Sequence, residues 1–319
     1  MDRFRRSWDL FKSSLFVMMR HKTLLLFPIL TAVLTAFLII LFLVPVAFRP
    51  TGYSYTSAQH WKAVSKGIVN SDSPSTHQDS PESGSSNSRL NTLKKVNPIA
   101  AVYFAAMYFA TMLLATFLNV AFYREILNAL SGQPVSIAEG LGFAARKWKI
   151  ILMWTLFAGL VGFIIKTMEE RFGWFGEIVM RLIGTVWSIA CVFVIPVIIT
   201  EEQTSNPFVV LKKSAETLKN TWGESLIGYA GVSAGSSVLM ILSLFWLAAG
   251  LGTAMYLHSV LLGVLAVASW LFALVVISYL MSVASQIFRC ALFLYASQGT
   301  LPHPYNEEMM ALAWKTKKS

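Results

Sequence analysis

The sequence predicts an all-α fold: a polytopic membrane helical bundle of about six transmembrane helices. Three observations carry that prediction. Of the 319 residues, 55% are hydrophobic and 13% charged, against roughly 25% charged in ordinary soluble domains. The mean hydropathy is +0.60, so the chain lacks the polar faces a soluble fold needs to cover its core. The apolar residues also fall in blocks long enough to cross a hydrocarbon layer of about 30 Å at about 1.5 Å per residue. Finally, an amphipathic segment precedes each pair of blocks. The predicted arrangement is therefore three repeats of one interfacial helix and two spans, with residues 1–319 forming a single integral membrane domain.

The first amphipathic helix, residues 3–22, carries Phe4, Trp8, Phe11, Leu15 and Met18 on one stripe. The first span, Leu24–Phe48, is too long for the apolar region of a signal peptide and lacks a small-residue cleavage site, so it is expected to stay. Residues 49–97 form an extracytoplasmic loop. Its Ser-rich middle, about residues 70–91, is expected to be disordered, because so few apolar residues cannot offset the entropy of ordering. The flank Ser57–Val69 is predicted as a short helix whose face of Trp61, Val64 and Ile68 rests on the membrane.

The second span is Ile99–Tyr123. The second amphipathic helix carries Ile137, Leu141, Ala144 and Trp148, with Ser136 and Glu139 in capping-box spacing. Spans three and four are Ile150–Met168 and Ile178–Thr200. The third amphipathic helix starts at Asn206-Pro207 and carries Phe208, Leu211, Ala215, Leu218 and Trp222. Spans five and six are Leu226–Leu251 and Leu257–Leu280. The last apolar block runs on to Ser297 with Arg289 as its one Lys, Arg, Asp or Glu. No Gly or Pro between Gly263 and Gly299 offers a turn, so one long helix is predicted.

Charge bias sets the expected orientation. With the N-terminus inside, cytoplasmic segments hold 17 of the 26 Lys and Arg residues, as the positive-inside rule requires. A cell (inner) membrane location with both termini cytoplasmic follows. The net charge of +10 sits beside apolar segments without interleaved base-stacking aromatics, so nucleic acid is not an expected partner. Membrane lipids are, through Arg3, Arg5, Arg6, Trp8, Lys212, Lys213 and Trp222. A membrane protein partner or a second copy of the chain is the other expected partner.

Motifs for chemistry are sparse. The five histidines are scattered, and no HExxH, GxSxG, Walker or dinucleotide pattern occurs. No metal, cofactor or enzymatic activity is expected. Cys191 and Cys290 lie in apolar segments and read as packing residues. Gly231 and Gly235 form a GxxxG, which favours close helix packing. Polar residues within spans are the default functional candidates, because burying them costs several kcal/mol unless they are paired. Asn119, Arg124, Gln286 and Arg289 fall at the inner ends of the second and last spans, which makes them a candidate polar cluster at the cytoplasmic face. Pro28, Pro45 and Pro196 could kink spans one and four, but they lie near span ends, so no discontinuous binding helix is expected. These features imply lipid or membrane-partner binding, with a small lipid or solute permease, or a membrane subunit serving a catalytic chain, as alternatives.

Several stretches together resemble a known family. They are Ser7-Trp8 with Ser14 and Leu24-Leu25-Leu26-Phe27-Pro28, Phe117-Leu118-Asn119, Gly132 with Glu139-Gly140, and Trp154. Gly184 with Trp187, Pro196, Leu211-Lys212-Lys213-Ser214, Thr221-Trp222-Gly223-Glu224, and Ala291-Leu292 with Tyr295-Ala296 and Gly299 continue the pattern. On these residues the chain resembles the uncharacterised prokaryotic membrane proteins of domain-of-unknown-function family 6159. The resemblance covers nearly the whole chain except the Ser-rich loop, implies the architecture above, and brings no activity or catalytic residue.

Overall fold

A computed structural model of the chain describes residues 12–69, 98–171, 173–201, 206–219, 241, 243–299, 302 and 304–305. Among the described residues every regular element is helical. In chain order these are α1 (12–20), a 3₁₀ turn Lys22–Leu25, α2 (Leu26–Ala47), α3 (Ala58–Val69), α4 (Pro98–Leu130), α5 (Ile137–Arg146) and α6 (Trp148–Arg171). There follow α7 (Gly173–Ala190), α8 (Val194–Thr200), α9 (Pro207–Lys219), α10 (Ser243–Tyr256) and α11 (Val260–Gln298). Among the described residues, five stretches are long and apolar enough to cross a membrane: Lys22–Ala47, Ile99–Leu130, Trp148–Glu169, Ile178–Thr200 and Val260–Gln298. The chain is an all-α membrane protein.

Most of the predicted fifth span, Leu226–Leu251, lies outside the described residues, as do the GxxxG and the Ser-rich insert. Its described end continues further than expected, to Tyr256. The chain then turns at Leu257 and His258, the latter with φ of 47°, and Ser259 caps α11 by accepting from Leu262 N–H (3.4 Å). From there α11 is one unbroken helix of 39 residues, about 58 Å long at about 1.5 Å per residue. It ends where Gly299 takes the left-handed conformation that a residue with no Cβ adopts cheaply.

Two compact units divide the chain: residues 31–115, and residues 1–30 with 116–319. Helices α2 and α4 contribute to both. In the smaller unit, Tyr103 donates to the Phe42 carbonyl (2.5 Å) and their rings meet edge to face at 5.7 Å. His60 is wholly buried there. Its Nε2 donates to the Ala47 carbonyl (2.9 Å), so in the neutral ring Nδ1 accepts from the Thr51 hydroxyl (2.6 Å). This bond ties α3 to the end of α2 and turns His60 and Val64 inward. Trp61 is left 53% exposed, so the predicted face of Trp61, Val64 and Ile68 is split between the protein and its surroundings. His60→Ala leaves the half-buried Ala47 carbonyl and Thr51 hydroxyl without this partner, at roughly 1 kcal/mol or more. Amide exchange in α3 should therefore quicken by about tenfold or more, while exchange in α11 stays unchanged.

In the larger unit the buried residues gather at one end of the spans. Leu24, Phe27, Leu118, Phe122, Ile126, Ile151, Phe193, Ile198, Ile287 and Phe288 are all essentially buried. Phe27 stacks on Phe122 (5.3 Å), Phe193 meets Phe293 (5.8 Å), and the Tyr279 hydroxyl bonds to the Leu25 carbonyl. Away from this band, span residues such as Leu182, Val186, Leu265 and Phe272 stay exposed, the expected outer surface for helices solvated by lipid.

The three segments expected to be amphipathic are helical where described, and each buries a small residue. Ser14 of α1, Gly140 of α5 and Ser214 of α9 are all buried. Ser14 bonds the Tyr305 hydroxyl (2.8 Å), and burial raises the Tyr305 phenol above its ordinary range. Gly140 lies against Ala121 and Glu125 of α4. On α9 the buried positions are Val210 and Ser214, offset from the Phe208–Leu211–Ala215–Leu218 stripe, and Phe208 is 64% exposed while its ring touches Phe157 at 4.5 Å. The capping box expected at Ser136 is not formed by that side chain. Glu125 of α4 reaches across instead, and its Oε2 accepts from Ser136 N–H (2.8 Å). Asn206 does cap α9, through Phe208 N–H to Oδ1 (2.9 Å).

Candidate functional site

The fourth span, in which Pro196 offers a kink, is interrupted near its end. Residues Cys191–Phe193 form a turn between α7 and α8. Pro196 explains where it falls, since it has no N–H to offer the Val192 carbonyl four residues back and its ring crowds that carbonyl. The ladder tightens around the gap. Val192 N–H donates to Ile189 (3.1 Å) and Val194 N–H to Cys191 (3.2 Å), each three residues back. Phe193 N–H turns to another helix and donates to Ser214 Oγ (3.1 Å), while the Ser214 hydroxyl donates to the Ala190 carbonyl (2.6 Å). One buried serine on α9 thus bridges the two sides of the break.

Two cavities flank this turn and share Cys191, Val192 and Arg289. The first, about 540 Å³, is the polar one. Asn119 and Tyr123 of α4 line it together with Ser282, Ser285, Gln286 and Arg289 of α11. Gln286 is oriented by its bond from Nε2 to Ser282 Oγ (3.3 Å). The second, about 730 Å³, is mostly apolar, with Ile165, Met180, Gly184, Ile189, Leu218, Phe288 and Leu292 in its wall. Glu169 and Arg181 also line it. Both volumes lie in the range of roughly 300–1,000 Å³ typical of small-molecule sites. A polar chamber and an apolar channel meeting at one arginine can accept a molecule that has an anionic end and an oily end.

Of the four residues expected to cluster, Asn119, Gln286 and Arg289 come together in the polar cavity. Arg124 does not join them. Its guanidinium lies over the Phe143 ring at 4.9 Å, with Arg146 and Lys147 at 5.8 and 5.9 Å from the same ring. On a helix, Arg124 is five residues beyond Asn119, which places it on a different face. Among the expected lipid contacts, Lys213 pairs with Glu201 (2.5 Å), whose carbonyl accepts from Lys147 (2.5 Å). Lys212 faces outward with Glu216 at 3.8 Å. Arg3, Arg5, Arg6, Trp8 and Trp222 lie outside the described residues.

Sequence reasoning missed Cys191, Val192, Ser282, Ser285 and Ser214. Pro196 was the available signal for the first two, because a proline always strips a donor from the carbonyl four residues earlier. Nothing local to Ser214 reveals a partner 24 residues away in the chain. Among the described residues no group of three His, Cys, Asp or Glu side chains is placed to hold a metal ion.

No curated protein and no solved structure shows a significant match to the chain. A family model does match, over residues 99–302, a stretch that contains every residue lining both cavities. Over most of its length, then, the chain carries the pattern of the family of unknown function DUF6159, and it belongs to that family.

Proposed function

We propose that the protein is a non-enzymatic membrane protein that works by binding a lipid or a membrane partner. The observation that carries this reading is the polar cavity of Asn119, Gln286 and Arg289, set among helices whose other faces are apolar. An ionisable residue within a span, such as Arg289, is by default a candidate for ligand or partner binding. We place the protein in the inner membrane with both termini in the cytoplasm, on the charge bias of its loops. Reporter fusions after Ser86 and at the C-terminus test the orientation, with an outside signal at the first and an inside signal at the second. Both on one side would overturn it.

Purification of the full chain from native membranes, with analysis of retained lipids and proteins, tests the function. Either a specific lipid or a stoichiometric membrane protein should co-purify. A chain that emerges with neither is not a binder of this kind. A second reading, a small permease for a lipid or solute, is favoured by the break in α7–α8, since interrupted helices beside a cavity recur in transporters. Flux in proteoliposomes that is lost on Asn119→Leu would establish it. A membrane subunit for a separate catalytic chain is the outcome if an enzyme co-purifies.

A further inference from the structure

We infer that the two cavities at the Cys191–Phe193 turn are one binding site for a phosphate-bearing lipid, headgroup in the polar chamber and acyl chain in the apolar channel. The inference rests on the lipid-binding reading and names its site and ligand class. Three observations carry it. The cavities lie on either side of one turn and share the wall residues Cys191, Val192 and Arg289, so a headgroup in one and an acyl chain in the other are within reach of one lipid lying across Arg289. The formal charge of their side chains is positive, from Arg181 and Arg289 against Glu169, which complements an anion. Neutral donors stand around Arg289: the amides of Asn119 and Gln286 and the hydroxyls of Ser282 and Ser285.

Chemistry selects the occupant. A guanidinium presents a planar fork of donors that matches phosphate oxygens in pairs, and such charge-assisted bonds are about twice as strong as neutral ones. Amides and hydroxyls beside it can donate to the remaining phosphate oxygens. A free phosphate or sugar phosphate would satisfy the polar chamber alone and leave the 730 Å³ channel of Ile165, Gly184, Leu218, Phe288 and Leu292 without a ligand. An acyl chain fills that channel at roughly 0.8 kcal/mol per buried methylene. Gly184 keeps the channel wall low: a Cβ there meets only Ile165, at 3.8 Å, so a larger side chain extends into the lumen without forcing the backbone apart.

The test uses the full chain in nanodiscs of phosphatidylcholine doped with phosphatidylglycerol carrying a photoreactive group in one acyl chain. Crosslinks should map to α7 and α11 around residues 184–192 and 288–292. Arg289→Gln should reduce them about tenfold, the effect of losing a charged hydrogen bond. Gly184→Phe should also abolish them, by blocking the channel rather than the headgroup chamber, which keeps the test sound should Arg289→Gln fail to fold. A matching diacylglycerol probe, lacking phosphate, should label the site weakly. If inorganic phosphate or glycerol phosphate competes as well as unlabelled phosphatidylglycerol, the site takes a headgroup-sized solute and the lipid assignment falls. If crosslinks spread evenly over the spans and ignore both variants, the inferred site is wrong. The broader reading then stands or falls separately, on whether any lipid or partner is retained through purification.

Discussion

Replacing Ser214 with alanine should destabilise the protein by about 2–4 kcal/mol, because it removes one side chain and orphans two backbone groups. The Ser214 hydroxyl accepts from Phe193 N–H and donates to the Ala190 carbonyl, and the residue has no solvent exposure. Each buried backbone group left without a partner costs about 1–3 kcal/mol. Water cannot replace the hydroxyl cheaply at a fully buried position. The effect should appear as a lower unfolding midpoint in detergent and as faster amide exchange in residues 190–194. Ser214→Thr keeps the hydroxyl and should lose much less, limited to the strain of one added methyl. Equal losses for alanine and threonine would show that packing, and not the two hydrogen bonds, holds the break. Because the Cys191–Phe193 turn walls both cavities, Ser214→Ala should also blunt ligand binding there, at temperatures where the fold survives.

The second large effect is expected at Gly140. A Cβ at this position would sit 2.9 Å from Glu125 Cγ and 3.0 Å from the carbonyl oxygen of Ala121. The first contact could be relieved by moving a side chain, but the second is backbone within a helix. Gly140→Val must therefore push α5 off α4. That movement also breaks the bond from Ser136 N–H to Glu125 Oε2. Overpacking of this kind costs about 1–3 kcal/mol, and the lost buried bond adds to it. Thermal unfolding of the variant should start well below that of the parent. The double variant Gly140→Val with Glu125→Ala should recover little, since the Ala121 carbonyl still blocks the valine. Near-complete rescue by Glu125→Ala would place the clash on the side chain alone and overturn this account.

These sites show how far local pattern carries. Helix existence was legible throughout the described spans, because long apolar blocks and 3.6-residue stripes are properties of consecutive residues. The uninterrupted α11 was legible too, from the absence of Gly and Pro between Gly263 and Gly299. On α9 the apolar stripe was visible, but not the face turned inward, since Val210 and Ser214 are buried by what lies across from them. At Ser136 a plausible local capping box lost to Glu125, eleven residues earlier in the chain. His60 looked like one of five scattered histidines, and its role depends on the Ala47 carbonyl and Thr51 hydroxyl meeting it from a separate helix and loop.

The candidate site divides in the same way. Asn119, Gln286 and Arg289 stood out because polar residues are rare in apolar spans, and the fold brings those three to one cavity. Arg124 stood out for the same reason, yet helical phase sends it to the Phe143 ring instead. The all-α membrane architecture and the polar residues worth attention were thus determined by the sequence itself, through composition and period. The break in the fourth span has its local signal in Pro196, whereas its bridging by Ser214 and the apolar channel beside the polar chamber were decided by tertiary structure. Each depends on groups distant in the chain, whose approach is governed by packing and by the cost of leaving buried backbone unpaired.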